Sequence, residues 1–197
     1  MEEGTTRLET FSDGVFAIAA TILVLEISVA HTDHLGRALL DLWPSYLAYV
    51  TSFLTIGIIW MNHHYCVRTI ARTDRTFLFA NMLLLLVVAF IPFTTKLVAE
   101  YLQEPGERTA VYAYNTVFIL MAVVYTAWWR YASTGRRLIA ESVPDSAVRA
   151  ITRSFNPGIP LYAVAIVVAV FSPVASVLVN LAVAAFYVPS AALFAER

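Results

Sequence analysis

The chain has 197 residues, 59% of them hydrophobic and 14% charged, with a mean hydropathy of +0.71. That balance lies outside soluble globular domains and fits an integral membrane protein. A formal net charge of -1 excludes the concentrated basic surface that a nucleic-acid partner demands, and the single cysteine, Cys66, excludes an internal disulfide or a cysteine-built metal site within one subunit.

A membrane-spanning helix needs about 20 mostly apolar residues. On that measure the sequence predicts one all-α transmembrane domain over 1–197, with six helices at roughly 10–30, 46–66, 76–99, 110–131, 157–172 and 174–195. The first could be mistaken for a signal peptide, since Ser28-Val29-Ala30 is a passable cleavage site. The acidic start Met1-Glu2-Glu3, with Asp13 and Glu26 inside or beside the apolar run, argues instead for a retained helix. Pro92, within Phe90-Ile91-Pro92-Phe93, falls inside the third helix, where a bundle tolerates the bend expected of it. From Ile159 to Ala195 there is no charge, and Ser172-Pro173 divides that stretch into two crossings because proline lacks an amide donor and disfavours helix at its predecessor. Asn156-Pro157-Gly158 opens the fifth helix.

The basic residues fix an expected orientation. With six helices and an internal N-terminus, ten of the 13 Lys and Arg fall on one side: Arg7, Arg68, Arg72, Arg75, Arg130, Arg136, Arg137, Arg149, Arg153 and Arg197. By the positive-inside rule both termini are cytoplasmic. The outer loops, with His31, Asp33, His34, Asp41, Glu100, Glu104 and Glu107, form a mildly acidic mouth. No tandem repeat and no glycine-rich phosphate loop occurs, so a nucleotide-driven pump is not indicated.

Ionisable groups in hydrocarbon are costly and usually face protein or water. The first predicted helix nevertheless runs RLETFSDGVFAIAATILVLEI. At 100° per residue, Phe11, Gly14, Ile18, Thr21, Ile22 and Leu25 lie within about 60° of Ile18, while Ser12 and Asp13 point elsewhere, at about 120° and -140°. An apolar stripe with one hydroxyl is thus separate from a polar corner. The stripe is either bundle packing or the wall of a pore. Asp13 and Arg7 stand on different faces, so partners are expected from the second helix, where Trp60-Met61-Asn62-His63-His64 offers an indole, an amide and two imidazoles. A carboxylate bonded to Trp60, Asn62 or His63 would fix helix packing and hold the stripe in place. Adjacent His63 and His64 diverge by about 100° and make a poor helical chelate, and His31 with His34 sits in a short outer connection; no metal site is expected. Glu26, at about 80° from Ile18, either attracts cations at a pore mouth or snorkels to the interface.

The run Arg7-Leu8-Glu9-Thr10-Phe11-Ser12-Asp13 has the RxxxFSD pattern, and it resembles the transmembrane protein 175 family, potassium channels of bacteria and of animal lysosomes. The likeness continues from Gly14 to Ile27, at Trp60 to His64, and from Asn81 to Phe93; the last three helices add only architecture. The resemblance implies a channel without a re-entrant loop, its pore lined by the first helix of each six-helix unit. One RxxxFSD in this chain implies four chains around the axis, a homotetramer of the bacterial form in the cell membrane. It further implies that Ile18, Ile22 and Leu25 form the apolar constriction and that Thr21 is a hydroxyl layer favouring potassium over sodium. Arg7, Phe11, Ser12 and Asp13, with Trp60, Asn62 and His63, would form the bracing network.

Four Ile18 side chains would narrow the path until a hydrated ion sheds water or the pore dewets, and Thr21 hydroxyls would replace part of the lost shell. Conduction would be passive and its selectivity moderate, with K+ the permeating ion, no cofactor and no enzymatic step. The rival is a proton-coupled or cation secondary transporter using Asp13, His63, His64 and Glu26 as a relay, although no inverted repeat is detected.

Overall fold

Helix α1 spans Glu3–Ile22 and tightens into a 3-10 turn over Leu23–Glu26 before Ile27 leaves in an extended conformation. The computed structural model describes the backbone of residues 3–29 and 31–195 and the side chains of residues 5–29 and 31–187. Ala30 of the candidate cleavage site and Arg197 of the basic side lie outside the described residues.

Then come α2 (Leu35–Asp41), α3 (Trp43–Arg68), α4 (Arg75–Tyr101), α5 (Glu107–Ser133), α6 (Asp145–Phe155), α7 (Gly158–Phe171) and α8 (Pro173–Ala195). Among the described residues, five helical segments are long and apolar enough to cross a membrane: Thr5–Glu26, Trp43–Arg68, Arg75–Tyr101, Glu107–Arg136 and the combined Asp145–Phe171. Pro173–Tyr187 is a further, shorter apolar helix over the described side chains. The protein is therefore an all-α, multi-pass membrane bundle.

Two elements differ from expectation. Helices α2 and α6 are absent from the sequence expectation, because one is short and the other amphipathic and neither forms a long apolar run. Helix α7 alone has 14 residues, about 21 Å, too short for a hydrocarbon core of about 30 Å. It gains length from α6, since Asn156 and Pro157 between them keep right-handed helical dihedrals.

In the bundle α4 packs along α5, α3 lies against α4 and α8, and α7 is held by α5 and α8. Helix α1 rests on α3 and α4. Lipid tails are as apolar as leucine, so membrane helices associate through close packing and hydrogen bonds between them. Ser52 Oγ bonds Thr95 Oγ1 at 2.7 Å and the Tyr114 hydroxyl at 2.8 Å, tying α3, α4 and α5. The Asn180 amide donates to Asn115 Oδ1 at 2.7 Å, and the Asn115 amide donates to Ser176 Oγ at 2.9 Å, tying α8 to α5. Helix α4 runs through Pro92 as one element.

The loops at the end carrying Arg7 are clamped. Ala71 N–H donates to the Leu138 carbonyl at 2.8 Å and Ala140 N–H to the Thr69 carbonyl at 2.9 Å, joining the α3–α4 turn to the segment after α5. Gly135 and Arg136 take positive φ of 61° and 54°, a turn that brings the Arg136 guanidinium onto Asp145 and the carbonyls of Ala140 and Val143.

Candidate functional site: the two faces of the first helix

The burial of α1 divides by face. Ser12, Phe16, Ala19 and Leu23 are buried against α3 and α4, while Phe11, Gly14, Ile18, Thr21 and Leu25 are exposed and Ile22 is half-buried. Ile18 is 63% exposed and Leu25 75%. An exposed apolar strip is ordinary on a membrane helix. This one includes Thr21, whose hydroxyl donates to the Ala17 and Ile18 carbonyls at 2.9 and 3.1 Å. With its hydrogen turned back into the helix, the oxygen presents lone pairs outward, as a cation ligand must.

The buried face is fastened at the polar corner. The Asn81 amide of α4 donates to Ser12 Oγ at 3.0 Å, and its carbonyl pairs at 2.9 Å with His63 Nε2 of α3. Because that carbonyl can only accept, the His63 Nε2 carries the proton. The imidazole stacks on Trp128, ring centroids 5.0 Å apart, and lies 5.4 Å from the Phe16 ring. At the rim, Trp60 Nε1 donates to Asp13 Oδ1 at 2.8 Å, and His64 Nδ1 lies 2.7 Å from Glu9 Oε1. Ser12, Asn81, His63 Nε2, Trp60 and Asp13 are thus paired between helices, as groups that lipid cannot satisfy must be, while the buried His63 Nδ1 has no hydrogen-bond partner among the described residues.

Two candidates sit apart from this corner. Asn62 lines a cleft between α3, α5, α7 and α8, with Ile59, Met121 and Tyr162 among its neighbours. Arg7 is exposed and makes no ion pair among the described residues. The amide in the corner is Asn81, which the sequence reading carries only within the Asn81 to Phe93 resemblance; its polarity within the otherwise apolar Phe77–Phe93 stretch is the signal that points to it. At the opposite end, Glu26 closes the 3-10 turn beside Lys96 Nζ of α4, at 3.4 Å, and the same ammonium lies 4.0 Å from Glu100. No group of three or more His, Cys, Asp or Glu suited to a metal occurs among the described residues.

The family described as "Endosomal/lysosomal potassium channel TMEM175" matches residues 7–92, the α1, α3 and α4 region that builds this corner. A potassium channel of Chamaesiphon minutus is 48% identical over 166 residues, 82% of either chain. This chain belongs to the TMEM175 family. A potassium channel of Streptomyces collinus is 46% identical over 157 residues, covering 77% of this chain and 76% of its own. The crystal structure of a lysosomal potassium-selective channel TMEM175 homolog from Chamaesiphon minutus superposes with a TM-score of 0.88 at 42% identity, over 96% of this chain and 99% of that one. Membership places the chain in a family of ion channels, not of enzymes.

Proposed function

We propose that the protein is a potassium channel of the cell membrane, in which α1 of four subunits lines a central pore. The observation that carries this reading is the exposed strip of Ile18, Thr21, Ile22 and Leu25 on a helix whose other face is anchored at Ser12 and Asp13. The potassium channels of Chamaesiphon minutus and Streptomyces collinus, similar over most of their length, support it.

Around a fourfold axis, Ile18 side chains form a constriction narrow enough to strip a hydrated cation or to dewet and close. The Thr21 oxygens meet the partly dehydrated ion. Potassium loses water more readily than sodium, so one hydroxyl ring gives moderate preference, weaker than stacked carbonyl rings. Leu25 continues the apolar wall. Arg7 of one subunit is available to acceptors on the next. The nine basic residues within the described chain that gather at the Arg7 end support a cytoplasmic location for that end and, with six crossings, for both termini.

The test is K+ and Na+ flux through purified protein in liposomes, beside Ile18→Asn and Thr21→Ala. The pore reading requires K+ to pass faster than Na+, Ile18→Asn to leak more, and Thr21→Ala to lose preference. Flux that saturates at low concentration and ignores both substitutions would move the secondary transporter ahead.

A further inference from the structure

The continuous helix α6–α7 carries two sharply different faces. Toward the bundle lie Ile151, Gly158, Tyr162, Ala165 and Ala169, all buried. There Thr152 Oγ1 accepts from Trp129 Nε1 at 2.9 Å, and the Phe155 ring meets Tyr125 edge-on, centroids 4.9 Å apart. About 180° away by helical rotation stand Arg149 and Arg153, then Val164, Val167 and Phe171, all exposed. The two guanidinium groups are one turn apart. Neither has an acidic partner among the described residues, although like charges at this spacing repel.

Depth matters as much as face. Counting back from Phe171 at about 1.5 Å per residue, a hydrocarbon core of about 30 Å is used up near residue 151. That sets Arg149 and Arg153 at headgroup level and the exposed Val164, Val167 and Phe171 in the acyl region, on the same side. We infer that this face of α6–α7 is a binding site for an anionic phospholipid, its phosphate on Arg149 and Arg153 and an acyl chain along Val164, Val167 and Phe171.

An uncompensated pair of arginines favours a lipid with net negative charge, because basic residues at the surface are drawn to anionic lipid. A zwitterionic headgroup carries its own cation against the same phosphate. Free phosphate meets the arginines but gains nothing from the apolar strip below. The site is independent of what passes through the pore.

The experiment is native mass spectrometry of purified protein in detergent supplemented with equal phosphatidylglycerol and phosphatidylcholine. Wild type is expected to retain phosphatidylglycerol about tenfold over phosphatidylcholine. Arg149→Gln with Arg153→Gln, both on an exposed face and so compatible with folding, should bring the ratio to near one. Arg75→Gln, exposed at the same end of the bundle, should leave it unchanged. The inference is overturned if wild type shows no preference, if the double variant keeps it, or if Arg75→Gln loses as much, which would mean a diffuse basic belt. Displacement of the lipid by millimolar inorganic phosphate would also overturn it, assigning the arginines to a soluble anion.

Discussion

The indole N–H of Trp60 on α3 donates to the Asp13 carboxylate on α1 at 2.8 Å, across 47 residues of sequence. It is a charge-assisted bond at the rim of the corner, so it holds the register of α1 on α3 rather than contributing bulk burial. Such bonds are worth roughly 1.5–3 kcal/mol when shielded, and less here because Trp60 is 41% exposed. Asp13→Ala and Trp60→Phe should each lower unfolding free energy in detergent by about 1 kcal/mol. The double variant should cost little more than either single, a coupling that a denaturant double-mutant cycle reads directly.

The buried bonds of the same corner predict a contrast between two asparagines. Asn81 joins Ser12 to His63 with all three side chains buried, so Asn81→Ala strands both groups and should cost about 2–3 kcal/mol. Asn62 faces the cleft and makes no side-chain bond within the corner. Asn62→Ala should stay within about 0.5 kcal/mol. Equal losses in thermal unfolding would mean that Asn62 also supports α1.

How far the sequence carried is visible in these same residues. The separation of the Ile18 strip from the Ser12 corner reappears as exposed and buried faces of α1, because a helix long enough to span has a fixed 100° rotation and only the partners were unknown. Asn62 belongs to the same polar run at the end of α3 as Trp60 and His63, yet adjacent helical residues point about 100° apart, and Asn62 faces the cleft instead. The amide that arrives comes from α4, and no rotation about α3 can reveal it. Helix α6 is hard to read for a different reason: its charged residues interrupt any long apolar run. Val148, Ile151, Thr152 and Phe155 carry the three-and-four spacing that would have disclosed it. The number of subunits is not legible in one chain, since an exposed strip states that a face is unmet but not how many copies meet it.

The end of the bundle beyond the membrane predicts a pH effect on stability. Asp74 caps α4, and the Phe77 backbone N–H, donating to Oδ1 at 2.8 Å, is the largest influence holding its carboxyl below the ordinary value of 3.8. Burial opposes this, and the Tyr131 hydroxyl on Oδ2 at 2.8 Å and the nearby Arg137 reinforce it. A depressed folded-state pKa contributes stability that is fully present above the unfolded value and is lost as pH falls through the folded one. The melting temperature should therefore decline more steeply below about pH 4 in wild type than in Asp74→Asn. Parallel acid limbs for the two would show that the cap carries no linked proton.

At the far end, Lys96 stands 3.4 Å from Glu26, immediately after Leu25 on the exposed strip. It is the chain's only lysine, and its ammonium neutralises the carboxylate that closes the 3-10 turn after α1. If α1 lines the pore, Lys96→Met exposes four Glu26 charges at the mouth and raises the local cation concentration. Potassium uptake into liposomes at low ionic strength should rise roughly twofold or more, and the gain should fade near 1 M salt, where the screening length is about 3 Å. Glu26→Gln should act in the opposite sense, and adding it to Lys96→Met should cancel the gain. Should both single variants instead reduce flux at every salt concentration, the pair is a mechanical latch between the 3-10 turn and α4, and the mouth is not tuned by its charge.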